Sequence, residues 1–317
     1  MPCALSVSRE AIFVLCDSVF HPRQMVRVDY FCSVRCGEVC QVLSRQLLKK
    51  ENGVIEASDI TVSVPCLFAN EDPIWMMRVT ADRFGYKLRP YGIGETYKGW
   101  HDIKILKLRE EALSCPTSHI LYTDARDAWF LAGPEEIAKN YNDLGCPPLM
   151  LSAQCDIFGT YAKWYEGLPW DMSKEFRYIG TPGQLCEAKA LAEALGWMQA
   201  NYHLGEPDDP QGLPDDDPSF WLEFMRAFPD MLQLDHECSI FMNAGSELDN
   251  DRKMWTDCLE FQGNRVYNKI TRTYPCVLHF NGGYSHALHG KWDRLEPYWR
   301  KCGYTENPPW GVDARTS

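Results

Sequence analysis

From Ile60 onward, short apolar runs alternate with longer amphipathic stretches, the pattern of an α/β domain. Ile60 to Val64 predicts a strand. The helix after it opens at Asp72-Pro73, a cap residue followed by proline at the first helical position, and closes near Gly85. Tyr86 to Leu88 predicts a second strand, and Gly92-Ile93-Gly94 with Gly99 a loop. Ile103 and Leu106 sit at helical spacing on an element that also carries Lys104, Lys107 and Arg109. His119 to Thr123 is a β-rich run that stops at Asp124-Ala125-Arg126-Asp127. Gly133-Pro134-Glu135-Glu136 starts a helix with acids where the helix dipole favours them. Leu149 to Ser152 predicts a buried strand, and Phe158 to Trp170, rich in aromatics, glycine and proline, a loop. Helices are expected over Gln184 to Ala200 and Phe220 to Phe228, flanking a polar loop from Gly205 to Asp217. A last β-like run, Pro275 to His279, leads into Asn281-Gly282-Gly283.

Residues 1–57 stand apart as a cysteine-bearing extension, ending in a helix-like stretch, Gln46 to Asn52, with Gly53 as its stop. No function is assigned to them. The expected organisation is therefore this extension followed by one α/β domain over residues 58–317.

Composition narrows the classes. The 317 residues are 45% hydrophobic and 24% charged, which is ordinary for a globular protein. No apolar stretch reaches the length of a membrane span. The run Ala11 to Cys16 is too short for a secretory core and is followed directly by Asp17, so a cytoplasmic protein with no membrane association is expected. A net charge of −12 argues against nucleic acid as a partner, because that affinity comes from Lys and Arg displacing counterions. A small anionic ligand stays compatible with an acidic chain, since one bound divalent cation reverses the local field. The 14 cysteines are scattered and read as free thiols in a reducing compartment. Cys32, Cys36 and Cys40 would share a helix face but lack the paired knuckles of a zinc site.

The candidate chemistry centres on Asp124 and Asp127, just past the carboxyl end of a strand, where open α/β sheets place ligands. Hard divalent cations take carboxylate oxygens and keep positions for substrate phosphates. Alone, two acids three apart are usually a surface turn, and alone a histidine at a strand end is usually structural. His279, followed by a glycine-bearing turn, adds an imidazole and a backbone that can approach a phosphate closely. The three together point to a metal site. Asp215-Asp216-Asp217 precede a helix and serve equally as caps or as catalytic acids. Trp164, Tyr165 and Trp170 either stack on a ligand or pack a loop.

These parts, in this order, resemble the glycosyltransferase domain of the multifunctional procollagen lysyl hydroxylases and related viral and bacterial proteins. The resemblance runs from Ile60 to Trp299. It rests on Thr61-Val62-Ser63, on Phe84-Gly85-Tyr86-Lys87 with Gly92-Ile93-Gly94-Glu95, and on Tyr122-Thr123-Asp124-Ala125-Arg126-Asp127. It continues through Leu151-Ser152-Ala153-Gln154, Asp215-Asp216-Asp217 with Phe220, Leu234 to Asn243, and His279 with Asn281-Gly282. The resemblance implies a GT-A-like mixed central sheet flanked by helices. It implies manganese or magnesium held by Asp124, Asp127 and His279, and a UDP-sugar donor contacted by Val62, Ser63, Lys104, Asp124, Ala125, Asn281, Gly282 and Lys291. Asp216 and Asp217 would be its catalytic carboxylates. The implied reaction moves glucose or galactose to a hydroxyl on a protein or glycan acceptor, with hydroxylysine or galactosyl-hydroxylysine of collagen-like protein as the family's acceptors. Three places depart from the family. Gly180-Thr181-Pro182-Gly183 replaces an Asn-Ser-Gly-Gly type of turn, Gln154 stands where an acid is common, and Lys291 comes later than the family's phosphate-contacting lysine. The first departure motivates the alternative of a degenerate protein that binds nucleotide sugar or glycan without turnover. A metal-dependent nuclease or phosphatase would share the paired acids.

Overall fold

A computed structural model describes residues 5–8, 11–14, 53–66, 74–95, 102–155, 165–201, 217–244, 258–263, 265–280 and 288–307. For 5–8, 11–14, 217 and 288–294 only the backbone is described. The chain divides into two compact units, Met1–Glu51 and Asn52–Ser317. In the first, strands β1 (Leu5–Ser8) and β2 (Ala11–Val14) form an antiparallel pair. The second begins earlier than residue 58. Ile55 is buried, and its N–H and C=O exchange two 2.9 Å hydrogen bonds with the Asn142 side chain. The expected 46–53 helix, Cys32, Cys36 and Cys40, and the Asp72-Pro73 helix start lie outside the described residues.

The larger unit is built on a six-stranded sheet. Its strands, in chain order, are β3 (Ile60–Pro65), β4 (Leu88–Tyr91), β5 (His119–Thr123), β7 (Leu149–Gln154), β8 (Tyr178–Glu187) and β9 (Leu232–Asp235). They lie in the order β4-β3-β5-β8-β7-β9, and all run parallel except β8, which is antiparallel to both neighbours. This is the expected mixed α/β sheet. Every residue of β5 and β7 is buried, which is why both read as continuous rather than alternating runs. Helices α1 (Trp75–Phe84) and α3 (Pro134–Asp143) cover one face. Met77, Ala81, Ile137 and Tyr141 pack in one core cluster with Val62, Val64, Leu121, Met150 and Leu185 of the sheet. Gly85 closes α1 with φ 78°, a left-handed conformation that favours glycine, as the stop signal predicts. Between them, a π turn (Asp102–Lys107) leads into α2 (Leu108–Leu113), and α4 (Ala188–Asn201) follows β8. No helix among the described residues is long and apolar enough to cross a membrane.

Two expectations are corrected. The second strand begins at Leu88 rather than Tyr86. Tyr86 belongs to the core, its ring stacked on Phe130 at 4.0 Å and its hydroxyl donating to the Ala132 carbonyl at 2.9 Å. The larger correction concerns 178–187, where a turn and a helix from Gln184 are expected and a ten-residue strand is found. Two glycines and Pro182 erase its strand signal. Pro182 is tolerated because β8 slips register against β7 between Leu151 and Ser152, so the missing N–H interrupts no regular β7–β8 ladder.

A second, three-stranded sheet carries β6 (Ala128–Phe130), β10 (Phe241–Asn243) and β13 (Val277–His279), in the order β10-β13-β6. Outside it, β11 (Leu259–Gln262) and β12 (Arg265–Asn268) form a hairpin. Helices α5 (Asp217–Ala227) and α6 (Leu288–Lys301) complete the described elements. The two larger sheets approach closely at Gly183, where an added Cβ would stand 2.4 Å from the Phe241 ring. Gly183→Val should therefore cost about 1–3 kcal/mol or more by overpacking. Gly53→Ala, in open space, should fall within about 0.5 kcal/mol of wild type. Urea unfolding of the two variants checks this, and equal midpoints would refute the close contact.

Candidate metal and donor site

The carboxyl ends of β3, β5, β7 and β9 all lie at one end of the six-stranded sheet, because these strands are mutually parallel. At that end Thr123 closes β5, and Asp124-Ala125-Arg126-Asp127 carries the chain into β6 of the smaller sheet. Backbone bonds pin both ends of this connection. The Asp124 N–H donates to the Pro182 carbonyl at 3.0 Å, and the Phe280 N–H donates to the Asp127 carbonyl at 2.9 Å. The β8 segment read as a turn from sequence is thus what anchors Asp124.

His279 arrives from the other side. In the smaller sheet Asn243, His279 and Ala128 are register partners, so the last residue of β13 sits beside the residue following Asp127. His279 Nε2 lies 3.2 Å from Asp127 Oδ1 and 3.8 Å from Asp124 Oδ2. One ligand atom from each of Asp124, Asp127 and His279 falls within 4.8 Å of the others. Asp127 and His279 are buried, and Asp124 is partly open to solvent. Lys104 Nζ reaches both Asp124 oxygens at 3.2 Å, and the Tyr122 hydroxyl donates to Asp124 Oδ1 at 2.7 Å.

The electrostatics follow from this crowding. Burial pulls the His279 imidazole down, but the charges of Asp127 and Asp124 outweigh it and hold its pKa above the ordinary histidine value. Burial pushes the Asp127 carboxyl up, and His279, Arg126 and Lys104 more than reverse this, so it titrates below the usual range. One observation fits the donor set to a divalent cation: buried His279 Nε2 faces two carboxylates whose oxygens converge on the same point, Asp127 Oδ1 at 3.2 Å and Asp124 Oδ2 at 3.8 Å. Carboxylate oxygen with one imidazole suits manganese or magnesium.

The remaining sequence-derived candidates fall unevenly. Lys104 comes directly to the cluster. The Val62 side chain and Ala125 are in the hydrophobic core, which leaves backbone as what these residues can offer a ligand. Ser63 is buried, its hydroxyl donating to Glu111 at 3.5 Å. Asp216, Asn281 and Gly282 lie outside the described residues, as does Trp164. Asp217 is the first residue of α5 and Lys291 lies within α6, both described by backbone only. Tyr165 and Trp170 pack against each other and against Tyr178, with centroids 5.4–5.6 Å apart, and the Trp170 indole N–H donates to the Tyr165 carbonyl. Packing is therefore the role they show. Gln154 is buried at the end of β7. Sequence reasoning missed two neighbours of the cluster. Tyr122 was hidden in an apolar strand. Asn243, whose side-chain Oδ1 is 3.1 Å from His279 Nδ1, was legible only as a polar residue ending an apolar run.

The model of the PLOD GT domain family matches residues 69–302. This is well over half of the chain: the protein is of glycosyltransferase type, and it belongs to the PLOD GT domain family. Procollagen-lysine,2-oxoglutarate 5-dioxygenase 1 of Pongo abelii is 25% identical over 221 residues, covering 64% of this chain and 27% of that protein. The chain thus spans about a quarter of that relative's length. A crystal structure of a glycosyltransferase involved in the glycosylation of the major capsid of PBCV-1 is 11% identical. It overlays with a TM-score of 0.46, covering 75% of this chain and 98% of the other.

The raised His279 pKa sets a pH dependence. Proton and cation compete for Nε2, so manganese affinity should fall as pH drops through the His279 titration and level off above it. Titration of the free manganese signal by electron paramagnetic resonance across pH checks this. His279→Gln should flatten the slope, and an unchanged slope would remove His279 from the ligand set.

Proposed function

We propose that the chain is a metal-dependent glycosyltransferase of the EC 2.4 class, moving glucose or galactose from a UDP-sugar to a hydroxyl acceptor. The observation that carries this is the convergence of Asp124, Asp127 and His279 in a chain of a GT-domain family. These three residues would hold manganese or magnesium. A cation bound there supplies positive charge to the departing UDP. Lys104 adds a fixed cation at the same place, suited to the diphosphate. Asn281 and Gly282 follow His279 closely enough in sequence to bring backbone N–H groups to a phosphate, and Lys291 would add a charge from α6. Val62, Ser63 and Ala125 would face the nucleoside through backbone and short polar groups. Asp217, the first residue of α5, and Asp216, its neighbour in sequence, would act on the acceptor hydroxyl as general base or beside the developing sugar cation. The acceptor class is a hydroxyl on protein or glycan, with hydroxylysine or galactosyl-hydroxylysine of collagen-like protein as first candidates. The curated relative's name specifies procollagen lysine, which supports that choice.

The rival reading, binding without turnover, drew on Gly180-Thr181-Pro182-Gly183 as an altered turn. Those residues are part of strand β8, with the Pro182 carbonyl accepting the Asp124 N–H.

With UDP-glucose or UDP-galactose and manganese, the wild-type chain should release UDP, and Asp124→Ala with Asp127→Ala should abolish the release. Wild-type turnover by the double variant would sink the assignment. Calorimetric binding of UDP-sugar by a wild-type chain that releases no UDP with any acceptor would favour the binding protein. Lys104→Met should weaken UDP affinity in saturating manganese by about tenfold or more, the worth of a charged hydrogen bond. Unchanged affinity would place Lys104 outside the donor contacts.

A further inference from the structure

The Asn243 side chain sits at the seam between the two larger sheets, nearly without solvent exposure, with all of its polar atoms engaged. Its amide nitrogen is 3.0 Å from the Ala153 carbonyl oxygen and 3.0 Å from Ser152 Oγ. The Ala153 carbonyl can only accept, so the group facing it is the NH2. Ser152 cannot reverse this, because its own hydroxyl hydrogen is committed to the Gly180 carbonyl at 2.6 Å, which leaves lone pairs toward Asn243. The amide orientation is therefore dictated by β7 and β8, and Asn243 Oδ1 is the atom left to face His279 Nδ1 at 3.1 Å. An amide oxygen has no hydrogen to give, so Nδ1 must carry one. The neutral imidazole then keeps its lone pair on Nε2, the atom that points at Asp127 and Asp124.

We propose that Asn243 is a positioning residue that locks His279 in the Nδ1–H tautomer, through a relay running from the Gly180 carbonyl to Ser152, to Asn243, to His279. As a statement about metal affinity it rests on the metal-site reading above. As a statement about the tautomer it stands on the metal-free chain. Gly180 is part of the device: a Cβ there would stand 2.4 Å from Asn243 Nδ2 and 2.7 Å from Ser152 Oγ, so only glycine leaves the amide its place. Outer hydrogen bonds of this kind commonly change metal affinity by about 10–100-fold.

The test uses the full chain labelled with nitrogen-15 histidine, metal-free, at a pH where the imidazole is neutral. His279→Gln assigns the signal. Long-range proton–nitrogen correlations should show a protonated Nδ1 and a bare Nε2 in wild type, and Asn243→Ala should shift His279 to a mixture or to Nε2–H. Either an Nε2–H wild type or an unchanged tautomer in the variant overturns the proposal, and a merely structural role for Asn243 would not move this signal. In parallel, free-manganese titration should show binding about 10–100-fold weaker in Asn243→Ala, and weaker binding in Gly180→Ala. If the wild-type chain binds manganese and Asn243→Ala binds it equally, the relay is refuted. If the wild-type chain binds no manganese, the metal-site reading fails and the tautomer measurement alone decides the role of Asn243. Should Asn243→Ala fail to fold, Ser152→Ala removes one of the two acceptors and keeps the Ala153 carbonyl. Its expected outcome is a severalfold loss of manganese affinity with partial loss of tautomer purity, and no change in either overturns the proposal.

Discussion

Two carboxylates and an imidazole share one small space, and two of the three are buried, so each charge there has to be matched by something fixed. Asp124 is met by Lys104 and by the Tyr122 hydroxyl, and Asp127 by His279. His279 in turn is met by Asn243 on its far side. Each of these partners comes from a different element: the π turn, β5, β13 and β10. The cluster is consequently inseparable from the way the six-stranded and three-stranded sheets are held against each other.

That seam is made by small residues and committed backbone groups. Gly183 admits the Phe241 ring, and Gly180 admits the Asn243 amide. The Pro182 carbonyl receives Asp124, and the Ser152 hydroxyl is spent on Gly180. Strand β8 is therefore both the antiparallel member of the main sheet and the surface on which the site is assembled. Its irregular register against β7 frees the segment 181–183 from the ladder on that side, which lets it carry a proline and turn a carbonyl toward the Asp124 N–H.

Much of this was legible in the chain. The apolar runs at Ile60, His119 and Leu149 are strands, and the helix punctuation at Gly85 and Gly133-Pro134 is where the structure puts it. Asp124, Asp127 and His279 were nameable as a set because each ends or follows a short apolar run. Their convergence was not visible from spacing, since His279 lies 152 positions after Asp127 (279 − 127). Strand β8 was unreadable because glycine and proline are local signals for turns, and only burial between β5 and β7 overrides them. Tyr165 and Trp170 show the opposite limit. An aromatic pair in a loop has the same sequence whether it awaits a sugar or packs on Tyr178.

The sequence by itself determined most element types, the α/β class and the acidic balance, and it named Asp124, Asp127 and His279 as candidate ligands. It did so because periodicity, caps and ligand chemistry are properties of neighbours along the chain. Only the tertiary structure decided that Lys104 and Tyr122 serve Asp124, that β8 is a strand, and that Asn243 faces His279. Apart from Tyr122, two residues from Asp124, these partners are distant in sequence, and glycine at positions 180 and 183 leaves the room that the Asn243 amide and the Phe241 ring need at the seam.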